Sequence, residues 1–223
     1  MPPVGFATIL DTARTRHGAA AVDARLPQPK SASELAAVGN DRYLSQMSLR
    51  VFRAGLKHSL VDAKWPAFEE VFEGFDPRRV RAMPDEALEK LLGDTRLIRH
   101  WGKLKSVRDN AVAMLAIDEE FGGFGAWLGT WPGSNIVGLW ETLAERFSQM
   151  GGLSGPMFLR MVGKDTFVLS KSVIAGLKRW AEMPPPKNRS DRAAVQACFN
   201  AWAAETDRPL SQLSLILAMS VDD

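Results

Sequence analysis

Cysteine is nearly absent: of 223 residues only Cys198 carries a thiol. A lone thiol cannot close a disulfide within the chain, and it leaves no thiolate cluster for zinc. It reads as a small buried apolar residue. Histidine is scarce too, with His17, His58 and His100 scattered along the sequence, so the usual ligands do not add up to a tetrahedral metal site, and neither metal nor cofactor is expected. Tyrosine occurs once, at Tyr43. No apolar run approaches the ~20 residues a membrane span needs. Met1-Pro2-Pro3 lacks the basic start and apolar stretch of a signal peptide, and the expectation is a cytoplasmic protein without a membrane partner. An excess of one charge is also missing: 28 Lys and Arg against 26 Asp and Glu leave a formal net charge of +2. Any nucleic acid must therefore be met by a local patch and not by the molecule as a whole.

What is present is helical patterning. The composition is that of an ordinary globular chain, 46% hydrophobic, enough for a core. Apolar residues recur at intervals of three and four, as in Phe6, Ile9, Leu10 and Ala13, and again in Leu44, Met47, Val51 and Ala54. Ser33-Glu34 reads as the start of a short helix ending at Gly39, and Asn40 or Asp41 as the cap of the next. The pattern predicts further helices over 61–73, 77–82, 84–92, 99–117, 124–129, 137–149, 155–163, 170–182, 190–204 and 209–219. Pro84 falls in a first turn, where its missing N–H costs nothing. The one strand candidate, Thr166-Phe167-Val168-Leu169, is short and flanked by helices. The expected class is all-α.

A series of motifs then runs through the middle of the chain: Asn40-Asp41-Arg42, Arg53-Ala54-Gly55-Leu56, Phe72-Glu73-Gly74-Phe75-Asp76-Pro77 with Val80, Leu91-Leu92-Gly93-Asp94, Leu97-Ile98-Arg99, Lys103-Leu104 and Asn110-Ala111. In order and spacing this stretch resembles the DNA-3-methyladenine glycosylase I family, and the resemblance extends through Phe121-Gly122-Gly123-Phe124 to Val173. It implies a two-lobed helix-hairpin-helix DNA glycosylase-like fold with a base pocket between the lobes. The expected layout is a single glycosylase-like domain over 1–223: an N-terminal extension at 1–30, a core at 41–180, and a C-terminal helical hairpin at 184–223 set off by Pro184-Pro185-Pro186. The hairpin candidate is Gly152-Leu153-Ser154-Gly155-Pro156-Met157. A Gly turn opening a helix aims backbone N–H groups at a DNA phosphate, which nominates Ser154 and Gly155 as DNA contacts. Met157 stands where many hairpins of the wider superfamily carry a second Gly.

The resemblance also defines what is missing. The family carries a Glu, contacting the flipped base, on the helix before Ala-Gly-Leu; here that position is Arg50. The family aromatic just after the motif is matched by His58. The Asp that other branches place at the start of the helix after the hairpin is Ser170. The family's zinc ligands have no counterparts, with Ser172 at a ligand His position. A methylated adenine in DNA is cationic, and at about 4 Å with an effective dielectric near 20, like charges cost roughly 4 kcal/mol. An Arg50 facing the pocket would repel that substrate unless an acid such as Asp41 or Glu69 pairs with it; the other reading is an arginine that packs the lobes or faces DNA. Tyr43 lies seven residues before Arg50 on the same helix, so both can face one cleft with His58. Trp65, Trp127 and Trp140 read as core before stacking platform.

Basic residues gather in two regions, Arg96, Arg99, Lys103, Lys105 and Arg108, then Lys164, Lys171, Lys178 and Arg179. They read either as solvated helix faces or as a grip on phosphates, with Lys103 and Lys171 the nominated contacts. The expected partner is double-stranded DNA holding a damaged base, bound by a monomer. The expected reaction is metal-free hydrolysis of an N-glycosidic bond; the alternative is a silent DNA-binding module that keeps the fold.

Overall fold

The computed structural model describes residues 4–222, so the reading of Met1-Pro2-Pro3 falls outside the described residues. Along them run fourteen α-helices: α1 Phe6–His17, α2 Ala19–Asp23, α3 Ala32–Ala36, α4 Asn40–Arg53, α5 His58–Val71, α6 Pro77–Arg81, α7 Asp85–Lys90, α8 Trp101–Phe121, α9 Phe124–Thr130, α10 Ile136–Arg146, α11 Ser154–Val162, α12 Lys171–Ala181, α13 Arg189–Thr206 and α14 Leu210–Met219. No strand occurs among the described residues, and residues 166–169 are non-helical without forming one. The fold is all-α. Three short 3-10 turns, at 73–75, 91–93 and 133–135, link helices.

Capping chemistry explains many of the boundaries. Ser31, not Ser33, starts α3: its hydroxyl accepts from Glu34 N while the Glu34 carboxylate accepts from Ser31 N, a capping box. Asp76 accepts from Arg78 N at the start of α6, with Pro77 in the first position. α8 runs to Phe121 and stops where the sequence places its stop, at Gly122-Gly123, with Gly122 left-handed at φ 72°. In α5 the expected span began too late, since Lys57, in an extended conformation, precedes a first turn at His58.

The chain divides into two compact units. One spans Lys30–Trp131 and Trp140–Lys164. Its centre is α4, whose Tyr43, Leu44, Met47, Val51 and Phe52 are buried, with α5, α8, α9 and α11 against it. Phe52, Trp65, Phe68, Phe72 and Phe75 form a run of ring contacts 4.6–6.3 Å apart. α3 lies directly on α9: a Cβ at Gly129 would stand 2.8 Å from the Ala32 carbonyl oxygen.

The other unit takes the chain up to Pro29, Pro132–Leu139, and Asp165 onward. Phe167 stacks on Phe199 at 4.2 Å with rings almost parallel, and the Trp202 indole donates to the Val4 carbonyl. Asp165 accepts from Leu210 N and Ser211 N, both at 2.9 Å, and so begins α14. α12 and α14 approach closely at Gly176, where a Cβ would meet Leu217 Cγ at 2.6 Å.

Candidate functional site

Helix α4 ends at Arg53 because Ala54 turns extended and Gly55 takes φ 76°, a left-handed conformation that suits glycine. The carbonyls left open there carry partial negative charge. Lys103, from the first turn of α8, answers them: its Nζ donates to Ala54 O at 2.6 Å and to Phe52 O at 3.3 Å. Burial, and then the neighbouring Arg50 charge, hold the Lys103 ammonium below the usual lysine range.

Arg50 lies one turn before the helix end and is half-buried, with a buried Nε that meets no hydrogen-bond partner. Burial and the charge of Arg53 push its guanidinium below the usual arginine range. The acids that could have paired with it are taken. Asp41 and Glu69 both hold Arg42, at 2.9 and 3.0 Å, and Glu69 also accepts from the Ser45 hydroxyl at 2.6 Å. Arg53 pairs with Asp62 at 2.7 Å. His58 and Lys57 are exposed beside the same helix end. Arg50 and Lys103 thus form a cationic pair, and among the described residues no carboxylate pairs with Arg50.

Tyr43 does not belong to this site. It is fully buried, its hydroxyl donates to Leu35 O at 2.7 Å, and its ring meets Phe124 edge-on at 5.1 Å. Seven residues is close to two helical turns, but α3 and α9 cover that part of α4 and make the tyrosine core. Burial pushes its phenol up to about 12. Trp127 and Trp140 are also buried, in keeping with their reading as core. Trp65 stacks within the aromatic run and donates to Ser45 Oγ.

The hairpin candidate needs correction as well. Ser154 and Gly155 are buried, and their N–H groups already donate to Gly151 O and Met150 O, so neither is available to a phosphate. What is exposed is the turn before them, Gly151-Gly152-Leu153, with Gly152 at φ 59°. This turn hangs on a residue whose role the sequence did not disclose. Asn110, wholly buried on α8, accepts from Ser148 N at 2.7 Å and donates to Ser148 O at 3.1 Å. The signal was there in the Asn110-Ala111 motif, but spacing alone names no partner.

Many of the basic residues are neutralised within the protein. Arg96 binds Asp94 and Glu70, Lys105 binds Asp109, and Arg108 binds Asp85. Lys164 is buried and donates to Trp131 O at 2.7 Å. Lys103 serves the end of α4. Arg99, Lys171 and Lys178 are exposed. Ser170 caps α12 through Val173 N, a task that an Asp would also perform while adding a charge. A depression of about 500 Å³ near the start of α4 is lined by Asp41, Glu73, Asp76 and Asp118 with Arg42 and Arg78; its acids make it a poor phosphate site. Among the described residues no group of three or more His, Cys, Asp or Glu could hold a metal ion, and no helix is long and apolar enough to cross a membrane.

Comparison with known proteins gives this arrangement its frame. The family model described as methyladenine glycosylase matches residues 36–151, just over half of the chain. The curated DNA-3-methyladenine glycosylase 1 of Escherichia coli (strain K12) is 37% identical over 67 residues, 30% of this chain and 36% of that protein. The matched stretch therefore spans about a third of the relative's length. A crystal structure of 3-methyladenine DNA glycosylase I (TAG) aligns with a TM-score of 0.50 at 25% identity, over 63% of this chain and 84% of that one. An 8-oxoguanine glycosylase/lyase of Methanocaldococcus jannaschii, in complex with a 15mer DNA containing 8-oxoguanine, aligns with a TM-score of 0.50 at 15% identity, over 94% of this chain and 93% of that one. At that identity the likeness is one of fold. The chain belongs to the methyladenine glycosylase family.

Proposed function

We propose that the protein binds double-stranded DNA as a monomer and hydrolyses the N-glycosidic bond of an alkylated or otherwise damaged base, without metal or cofactor. The observation that carries this reading is the family match over 36–151, within which the motif residues are the ones that build the end of α4 and its surroundings. Gly55 turns the chain, Lys103 ties down the turn, and Asn110 holds the loop leading to α11. α10, the exposed turn 151–153 and α11 are the candidate helix-hairpin-helix, with Lys171 as a separate phosphate contact. A glycosylase draws the base out of the stack and holds it against side chains; Arg50 and His58 are the groups at the position that reads it. No lysine is assigned as a nucleophile, so the reaction is monofunctional.

The test is base release from a panel of duplexes that carry methylated or deaminated bases, run beside duplex binding at several salt concentrations. Release together with binding that weakens steeply with salt is the expected result. Binding without release from any damaged duplex would favour the second reading, a silent module. That reading has its own support: Arg50 stands where the family has a Glu, and Ser170, in place of an acid, is spent as a helix cap. Absence of duplex binding would remove both readings.

A further inference from the structure

Arg50 is distinguished from its neighbours by what it lacks. Arg42, Arg53 and Arg96 all rest on carboxylates, whereas the Arg50 Nε–H is buried and meets no acceptor. Lys103 lies close enough for the Arg50 charge to disfavour its ammonium. Two partly desolvated cations without a counter-anion are a standing cost to the fold. A ligand meets only the part of the half-buried guanidinium that solvent reaches; there one that brings acceptors is favoured and one that brings positive charge is disfavoured.

A guanidinium presents its donors in one plane, spaced for two adjacent acceptors. On a purine that pair is O6 and N7. Adenine offers an N6 amino donor beside N7, so it meets the guanidinium donor to donor. Hydrolytic deamination replaces that amino group with a carbonyl, and hypoxanthine then shows O6 beside N7. Xanthine, the deaminated form of guanine, shows the same edge. Undamaged guanine shares it too, but guanine is held by full Watson–Crick pairing, whereas a mispaired base is cheaper to extrude. We infer that Arg50 makes the site selective for deaminated purines, reading O6 and N7 of hypoxanthine or xanthine, and excludes cationic methylated purines. The inference rests on the assignment of Arg50 to the base site made under the proposed function.

The test measures equilibrium binding to duplexes that differ at one base: undamaged adenine, hypoxanthine opposite thymine, xanthine opposite thymine, and 7-methylguanine, whose methyl group both blocks N7 and adds charge. Wild type should prefer the hypoxanthine duplex to the undamaged one by about 10-fold or more, the discrimination one bidentate arginine contact provides, and should give the 7-methylguanine duplex no preference. Arg50→Gln should abolish the preference, so that the hypoxanthine and undamaged duplexes are bound alike. Wild type that binds all duplexes equally would overturn the inference and leave the DNA-binding reading intact. An Arg50→Gln variant weakened alike on every duplex would also overturn it, because Arg50 would then be a phosphate contact. Failure of wild type to bind any duplex would instead remove the proposed function itself.

Discussion

Asn110 ties α8 to the loop that leads to α11. Its amide closes two hydrogen bonds to the backbone of Ser148, and its side chain has no access to water. Truncation to alanine takes the partners from the part-buried N–H and C=O of Ser148, each costing up to about 1–3 kcal/mol. Asn110→Ala should therefore lower unfolding free energy by about 2–5 kcal/mol in a denaturant titration; a loss under about 1 kcal/mol would show that water replaces the amide. Tyr43 permits a cleaner measurement because it is the only tyrosine in the chain. Burial favours its neutral phenol and raises the folded value from 10.0 to about 12. The associated stability is thus fully present below about pH 10 and is lost as pH rises from there through about 12. Phenolate absorbance should titrate near 12 in the native protein, and a midpoint near 10 would mean the ring is exposed. Lys103 changes its forecast from phosphate contact to brace. With its Nζ on Phe52 O and Ala54 O, Lys103→Met should lower the melting temperature by several degrees. Its salt slope for DNA binding should change less than that of Lys171→Ala, which should fall by about one.

Among the elements, the short helices were the hardest to place from sequence and the glycines the most informative about how they pack. Gly129 lets α9 lie on the backbone of α3, and Gly176 lets α12 lie on Leu217 of α14. Gly176→Ala should destabilise by about 1–3 kcal/mol through overpacking, even though alanine is the better helix former; an unchanged or raised melting temperature would show that α14 shifts at little cost. The long helices were legible because their apolar period and their stops are local. α8 and α13 needed only a repeating face, a left-handed residue at the end, and, for α13, the Asn188–Asp191 capping box. The start of α3 was misplaced by two residues because two serines competed for the cap, and only the Ser31 hydroxyl meets Glu34 N.

At the scale of the whole molecule, a formal net charge of +2 leaves the proposed DNA binding to a few exposed cations, since Arg96, Lys105 and Arg108 are already paired with acids. What the sequence by itself determined is the helical class and the family. Helical period, caps and motif order are properties of neighbours along the chain, and they can be read without knowing what packs on what. Only the tertiary structure decided that Tyr43 is core, that Ser154 and Gly155 have spent their N–H groups, and that Arg42 takes the acids that could have neutralised Arg50. Glu69 is 27 residues from Arg42 and 19 from Arg50 in sequence, and both arginines lie on α4. Which one it meets is set by the packing of α5 on α4, and that long-range choice leaves the Arg50 Nε without a partner.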